Sequence, residues 1–354
     1  MNNKSINYNI ELLRVISMIS ILILHFLGNG NVLRNVNYCS INYFITWGLE
    51  CLCFCSINCF ALISGFLTNK KKNVYGSLVY NWITTIFYSF FLALIITMAL
   101  SYPIGNVKNY LFPFFQKYNW YFVSYVIISL FQPIIFLYHK YISHYLDIII
   151  LLLSFILLSI LPVFGIDILH VDTGYSTIWL LYLYLVGGFI SKYIDSCKIS
   201  RNCLVIVFIG CLFTMLASKI YIGYKTYPLD TNYVFNQLIT YNSPTVFIMS
   251  LSLFILILQT KFNFAEKTKK MISFYSKSSF SSYIIQVHPM LWPLYANCFE
   301  FLGKANPLLL ITSIIIAVLL SYTIISLIDY LRRIIFKYLK IDSLSSKIAR
   351  LFSN

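Results

Sequence analysis

Residues 11–25 read E-L-L-R-V-I-S-M-I-S-I-L-I-L-H. Between the ionisable residues Glu11, Arg14 and His25 the stretch holds only apolar side chains and two serines. It belongs to an apolar run over 10–28, close to the roughly 20 residues that a helix needs to cross the hydrocarbon core. Inside lipid every backbone N–H and C=O must be satisfied within the segment, so the run reads as a helix. At about 100° per residue, Arg14 and His25 lie three turns plus roughly 20° apart and project from one face. They are separated by about 16 Å along the axis, with Arg14 near one interface and His25 in the opposite half. Glu11, one turn before Arg14, is placed to pair with it. A titratable group inside a span costs several kcal/mol and marks a functional candidate. The competing reading makes Glu11 and Arg14 an interfacial pair that snorkels to the surface, and His25 a structural bond to a neighbouring helix.

The same apolar pattern recurs at 41–67, 78–101, 119–138, 146–162, 177–191, 203–222, 240–259, 278–300 and 307–329. The expected fold is all-α: a polytopic transmembrane helix bundle of about ten spans. Of the 354 residues, 59% are hydrophobic and only 10% charged, against about 25% charged in soluble domains. Such a chain cannot cover a water-facing surface, which excludes a soluble enzyme, a disordered regulator and a secreted disulfide scaffold. Lys and Arg total 26 against 11 acidic residues, a net charge of +15. With the N-terminus in the cytosol, 19 of the 26 cations fall on the cytosolic side: Lys4, Lys70 to Lys72, Lys140, Lys192, Lys198, Arg201, Lys261, Lys267, Lys269, Lys270, Lys277, Arg332, Arg333, Lys337, Lys340, Lys347 and Arg350. Six (Arg34, Lys108, Lys117, Lys219, Lys225 and Lys304) fall outside, and Arg14 lies within the first span. The asymmetry predicts an N-in, C-in protein of the cell membrane and explains the basic balance without nucleic acid. The first stretch is too long for the h-region of a cleavable signal and is expected to remain as an anchor. Residues 1–330 read as one transmembrane domain and 331–354 as a basic cytosolic tail.

Glu50 lies in the outer third of the second span, at a depth similar to His25, and is expected either to orient that imidazole or to meet the outer headgroups. His288 precedes Pro289 in the ninth stretch, where the proline is expected to bend the helix; the ring then lines a cavity or serves packing. His139, His144 and His170 read as solvated loop residues. Cys51, Cys55 and Cys59 share a helix face, and without a C-x-x-C pair they read as small packing residues. Cys39 and Cys298 are close enough to the outer surface to pair, although nothing in the sequence demands it. There is no H-E-x-x-H, P-loop or G-x-S-x-G, and no metal site is expected.

At these residues the chain resembles a known family, the type-3 integral-membrane acyltransferases that modify bacterial envelope and exported glycans. Arg14 and His25 are similar to its Arg-x10-His signature. Residues 57–66, I-N-C-F-A-L-I-S-G-F, resemble its F-x-x-S-G-F/Y segment, followed by a basic run, here Lys70, Lys71 and Lys72. The usual proline of that segment is Asn58 here, and lysines stand where many members have arginine. Residues 119–125, N-W-Y-F-V-S-Y, resemble its Trp-led fourth span; 184–193, Y-L-V-G-G-F-I-S-K-Y, its Gly-Phe/Tyr segment; and 282–289, S-Y-I-I-Q-V-H-P, its late Y-L-I-H-P motif.

The resemblance implies transfer of an acyl group, commonly acetyl, from cytosolic acyl-CoA to a hydroxyl of a glycan or lipid-linked glycan. Arg14 with Lys70 to Lys72 is expected to meet the donor's phosphates. His25 is expected to act as base or to carry the acyl group. Ser64 and Gly65 are expected to serve close helix packing or a turn, and Trp120 and Tyr121 to form an aromatic belt or stack on the acceptor. The rival reading is a non-enzymatic glycan or glycolipid transporter, with the buried charges as its path. A glycan polymerase is a weaker third reading.

Overall fold

The computed structural model describes residues 6–101, 119–194, 199–226 and 237–352, and these are helical throughout with no strand. Lys4, Lys108, Lys117, Cys197 and Lys198 lie outside the described residues, as does most of the loops at 102–118 and 223–239. The helices are α1 (Tyr8–Gly28), α2 (Ile41–Cys53), α3 (Ser56–Thr68), α4 (Tyr75–Leu100), α5 (Trp120–Leu130), α6 (Gln132–Tyr141) and α7 (His144–Val163, with a π-helical turn at Ile156–Ile160). They continue with α8 (Thr177–Tyr193), α9 (Arg201–Thr226), α10 (Pro244–Gln259), α11 (Glu266–Lys277), α12 (Ser279–Gln286), α13 (Pro307–Tyr338) and α14 (Ile341–Leu351).

Polar residues set the helix starts. The Asn7 side chain accepts from the N–H groups of Asn9 and Ile10, and Ser40, Ser143, Ser176 and Ser243 cap α2, α7, α8 and α10 in the same way. Each cap answers an N–H that has no partner within its own helix.

Among the described residues six helical runs are long and apolar enough to cross a membrane: α1, α2 with α3, α4, α7, α9 and α13. The pair α5 and α6, bent by 60°, makes a seventh if it is one span. The remaining apolar stretches form shorter helices. The run 240–259 yields the 16-residue α10, and 177–191 the 17-residue α8. The expected bend at Pro289 is corrected. α12 ends at Gln286, and the chain continues through 3-10 turns at Trp292–Tyr295 and Glu300–Lys304. Pro289 lacks an N–H and pushes the preceding residue out of the helical region, so the helix stops there.

The chain forms two compact units. The first comprises residues 1–63, 197–279 and 297–323. Here α1 packs on α2, α10 and α11, and α9 packs on α2 and α10. Asn9 Nδ2 donates to the carbonyls of Ile257 and Thr260 at 2.9 and 2.7 Å, closing the C-terminal end of α10. Cys51 and Cys55 pack with Met215, Ile239, Val246 and Met249, so these thiols are core side chains. At the break between α2 and α3, Ser250 Oγ donates to the Cys55 carbonyl at 3.2 Å and Asn58 Nδ2 to the Tyr241 carbonyl at 2.8 Å. Cys39 and Cys298 are exposed and form no disulfide.

The second unit comprises residues 64–196, 280–296 and 324–354. Its apolar core joins Leu78, Tyr88, Phe122, Val126, Ile284, Ile285 and Ile325. One buried carboxylate ties three helices. Asp329 Oδ1 accepts from Tyr88 Oη of α4 at 2.9 Å, from Ser281 Oγ of α12, and from Arg332 Nε of its own helix at 2.9 Å. Arg332 also donates through Nη1 to Tyr80 Oη and Thr84 Oγ1 at 3.1 and 3.2 Å. Only 3% exposed, Arg332 is not the solvated cytosolic cation that its sequence position suggests. The described part of the tail, 331–352, is likewise mostly helical: α13 runs to Tyr338, and α14 packs against α4 with Asn73 Nδ2 donating to the Phe352 carbonyl at 2.7 Å. His139 is corrected as well. It lies buried near the end of α6, its ring so close to Gly188 of α8 that any Cβ there would overlap it.

Asp329→Ala strands Arg332 without its charge. It is expected to cost about 3–5 kcal/mol, the range for removing one partner of a buried pair. A fall in the detergent-solubilised unfolding midpoint reads this, and an unchanged midpoint would contradict the clasp.

Candidate functional site

In the first unit α1 keeps its two marked residues on one helix of 21 residues. Arg14 Nη1 donates to Glu11 Oε1 and Oε2 at 3.0 and 3.3 Å, and both side chains are partly exposed. His25 stands half-buried in the last turn, where its carbonyl accepts from the N–H groups of Asn29 and Gly30. α2 returns alongside α1, and Cys53 meets Ser20. Counting back from that contact, His25 is about 7.5 Å and Glu50 about 4.5 Å further toward the connecting loop. The two residues therefore lie within about 3 Å of the same depth on adjacent helices.

Glu50 is 8% exposed, and its charged neighbour is Lys219 of α9. Lys219 is 1% exposed, with its ammonium 3.9 Å from the centroid of the Trp47 ring. A cation over an indole face replaces part of the hydration lost on burial. The α9 backbone is held at this level by Tyr43 Oη, which donates to the Lys219 carbonyl at 3.4 Å, and Tyr38 Oη, which donates to the Ile220 carbonyl at 3.0 Å. This changes two expectations. Lys219 is not a cation of the outer surface but a buried residue of the site. Glu50, expected either to orient His25 or to meet the outer headgroups, is buried and has a lysine as a charged neighbour. The signal was present, because Lys219 falls inside the apolar stretch 203–222.

The other expected residues belong to the second unit. Lys70, Lys71 and Lys72 are exposed just beyond α3. Gln132, buried at the bend between α5 and α6, fixes that end: its Nε2 donates to the carbonyls of Thr68 and Lys71 at 2.9 and 2.8 Å. Tyr184 Oη donates to Gln132 Oε1 at 2.6 Å and meets Thr68 Oγ1. Ser64 is half-buried, and a Cβ on Gly65 would overlap the Tyr184 carbonyl, so this glycine permits the close approach of α3 and α8. Trp120 rings meet Tyr121 and Tyr175 at 5.7 and 4.9 Å, and Tyr121 meets Tyr283 at 5.8 Å. His288 is 2% exposed. Its Nδ1 accepts from the Met290 N–H at 3.3 Å, which leaves the proton on Nε2 to be donated to the Ser89 carbonyl at 3.1 Å. Both ring nitrogens are thereby engaged with the backbone, the arrangement of a pin between α4 and the chain after α12.

Among the described residues no three His, Cys, Asp or Glu side chains group to hold a metal ion. A family model described as acyltransferase domain, type 3, matches residues 7–326, nearly the whole chain. No curated protein and no solved structure matches.

Lys219→Met removes the charged neighbour of buried Glu50 and is expected to lower the unfolding midpoint. Lys219→Met combined with Glu50→Gln removes both charges and is expected to recover at least half of that loss. Unfolding midpoints of the three variants read the coupling, and simple additivity would contradict it.

Proposed function

The chain belongs to this acyltransferase family, and from that premise we propose that it is an O-acyltransferase of the cell membrane. It moves an acetyl group from cytosolic acetyl-CoA to a hydroxyl of a bacterial envelope, capsular or exported glycan. The observation that carries the reading is the placement of Arg14 and His25 on one face of α1, in a family whose chemistry is acyl transfer.

The orientation is N-in and C-in, which puts the Arg14 end at the cytosol. Arg14 uses Nη1 on Glu11, and a guanidinium has five N–H donors, so others remain for the phosphates of the donor. His25 removes the proton from the acceptor hydroxyl as its oxygen attacks the thioester carbonyl. The carbon–sulfur bond breaks, and the sulfur leaves and is protonated to give free CoA. In the two-step form the imidazole nitrogen takes the acyl group first and the sugar oxygen displaces it. Either way one acyl group and one proton change places. Glu50 lies at the depth of His25 and contributes negative charge toward the imidazolium as it forms.

The buried residues Glu50 and Lys219, and the buried pair of Asp329 with Arg332, favour one rival, a glycan or glycolipid transporter, because intramembrane charges also line transport paths. Translocation of glycolipid by reconstituted protein without any acyl-CoA would decide for it.

Membranes supplied with radiolabelled acetyl-CoA and the envelope glycan test the enzyme. His25→Ala is expected to lower label transfer at least ~100-fold, the usual contribution of a positioned base. Arg14→Ala is expected to raise the acetyl-CoA KM about tenfold, with activity recovered at high donor, as loss of a charge-assisted contact worth about 1.4 kcal/mol requires. Unchanged transfer in His25→Ala would contradict the mechanism.

A further inference from the structure

On α2 three polar atoms are buried without a hydrogen-bond partner among the described residues: Asn42 Oδ1, Trp47 Nε1 and Glu50 Oε2. Leaving a buried donor or acceptor unmade costs about 1–3 kcal/mol each, and water is scarce inside a bundle in lipid. Asn42 Nδ2 donates to the carbonyls of Gly303 and Ala305 at 3.0 and 2.8 Å, so the side chain is fixed with its oxygen left over. The face of Trp47 is covered by Lys219, so only the indole edge remains. Along the helix the three residues fall within a sector of about 140° and span about 12 Å of rise.

The chemistry of these atoms selects the ligand. Trp47 Nε1 needs an acceptor, while Asn42 Oδ1 and Glu50 Oε2 need donors. An acyl chain supplies neither. A phosphate is an acceptor only and is repelled by Glu50. A hydroxyl is both donor and acceptor, and hydroxyls on successive sugar units of one molecule can reach along the strip. We propose that Asn42, Trp47 and Glu50 form the acceptor subsite, a strip on α2 that binds a neutral polyhydroxylated ligand, successive sugar units of the glycan. The indole N–H donates to one hydroxyl oxygen, and the amide and carboxylate oxygens accept from hydroxyls. Lys219 keeps Glu50 from being an isolated buried anion. The strip ends at the depth of His25, so a hydroxyl next to those it holds is presented at the level of the imidazole. This rests on the acyl-transfer reading and adds to it the residues that hold the acceptor.

The test uses the purified full chain in lipid nanodiscs, with the glycolipid fraction extracted from the source cells as probe. Trp47→Phe keeps the ring beneath Lys219 and deletes only the N–H; Glu50→Gln keeps the shape and removes the charge. In CoA-release assays each is expected to raise the glycolipid KM about five- to tenfold, with the acetyl-CoA KM changed less than twofold. Without any acyl-CoA, wild type is expected to show a glycolipid-dependent change in tryptophan emission that Trp47→Phe loses. If Glu50→Gln does not fold, Trp47→Phe carries both measurements. A glycolipid KM and an emission response equal to wild type in Trp47→Phe would overturn the subsite, assign the strip to ordered water and leave acyl transfer standing. Glycolipid binding that needs Trp47 in a wild type that never releases CoA would uphold the subsite and overturn the acyl-transfer reading.

Discussion

A charge inside hydrocarbon must bring its own solvent, and this requirement shapes the protein's interior. Arg332 brings Asp329, Tyr80 and Thr84; Lys219 brings Glu50 and the Trp47 ring. Each set joins helices distant in sequence: α4, α12 and α13 around Asp329, and α2 and α9 around Lys219. Apolar contacts between helices gain little in lipid, because acyl chains are as apolar as leucine. Paired charges and close glycine contacts therefore carry much of the specificity. Gly65 against Tyr184 and Gly188 against His139 are such contacts within the second unit.

The same requirement separates structural polar groups from those available for chemistry. His288 has both ring nitrogens engaged with backbone groups, and Asp329 Oδ1 receives three donors. Those particular atoms are consumed by the fold. Arg14 remains partly exposed, and the α2 strip keeps unmade bonds. Function is proposed where the fold leaves capacity.

Much of this was legible in the sequence. A run of apolar residues has one solution in lipid, so α1, α4, α7 and α13 follow from composition alone. The shared face of Arg14 and His25 is a consequence of helical pitch and needed no tertiary information. The places where helices fail were harder to read. Pro289 was visible, but whether a proline bends or ends a helix depends on what takes up the freed carbonyls. Lys219 was read as surface because lysine near a span end commonly snorkels; only the packing of α9 on α2 buries it. The partner of Glu50 was likewise a tertiary fact. An element 169 positions away in sequence, α9 at Lys219, supplies it.

The central claim is that His25 moves an acyl group onto a glycan. Mass spectrometry of the envelope glycan tests it most directly, comparing a deletion strain with the same strain carrying either wild type or His25→Gln. The account predicts that deletion removes one ester-linked acyl group, that wild type restores it and that His25→Gln, present at equal level in the membrane, does not. An unaltered glycan in the deletion strain, or full restoration by His25→Gln, would contradict it.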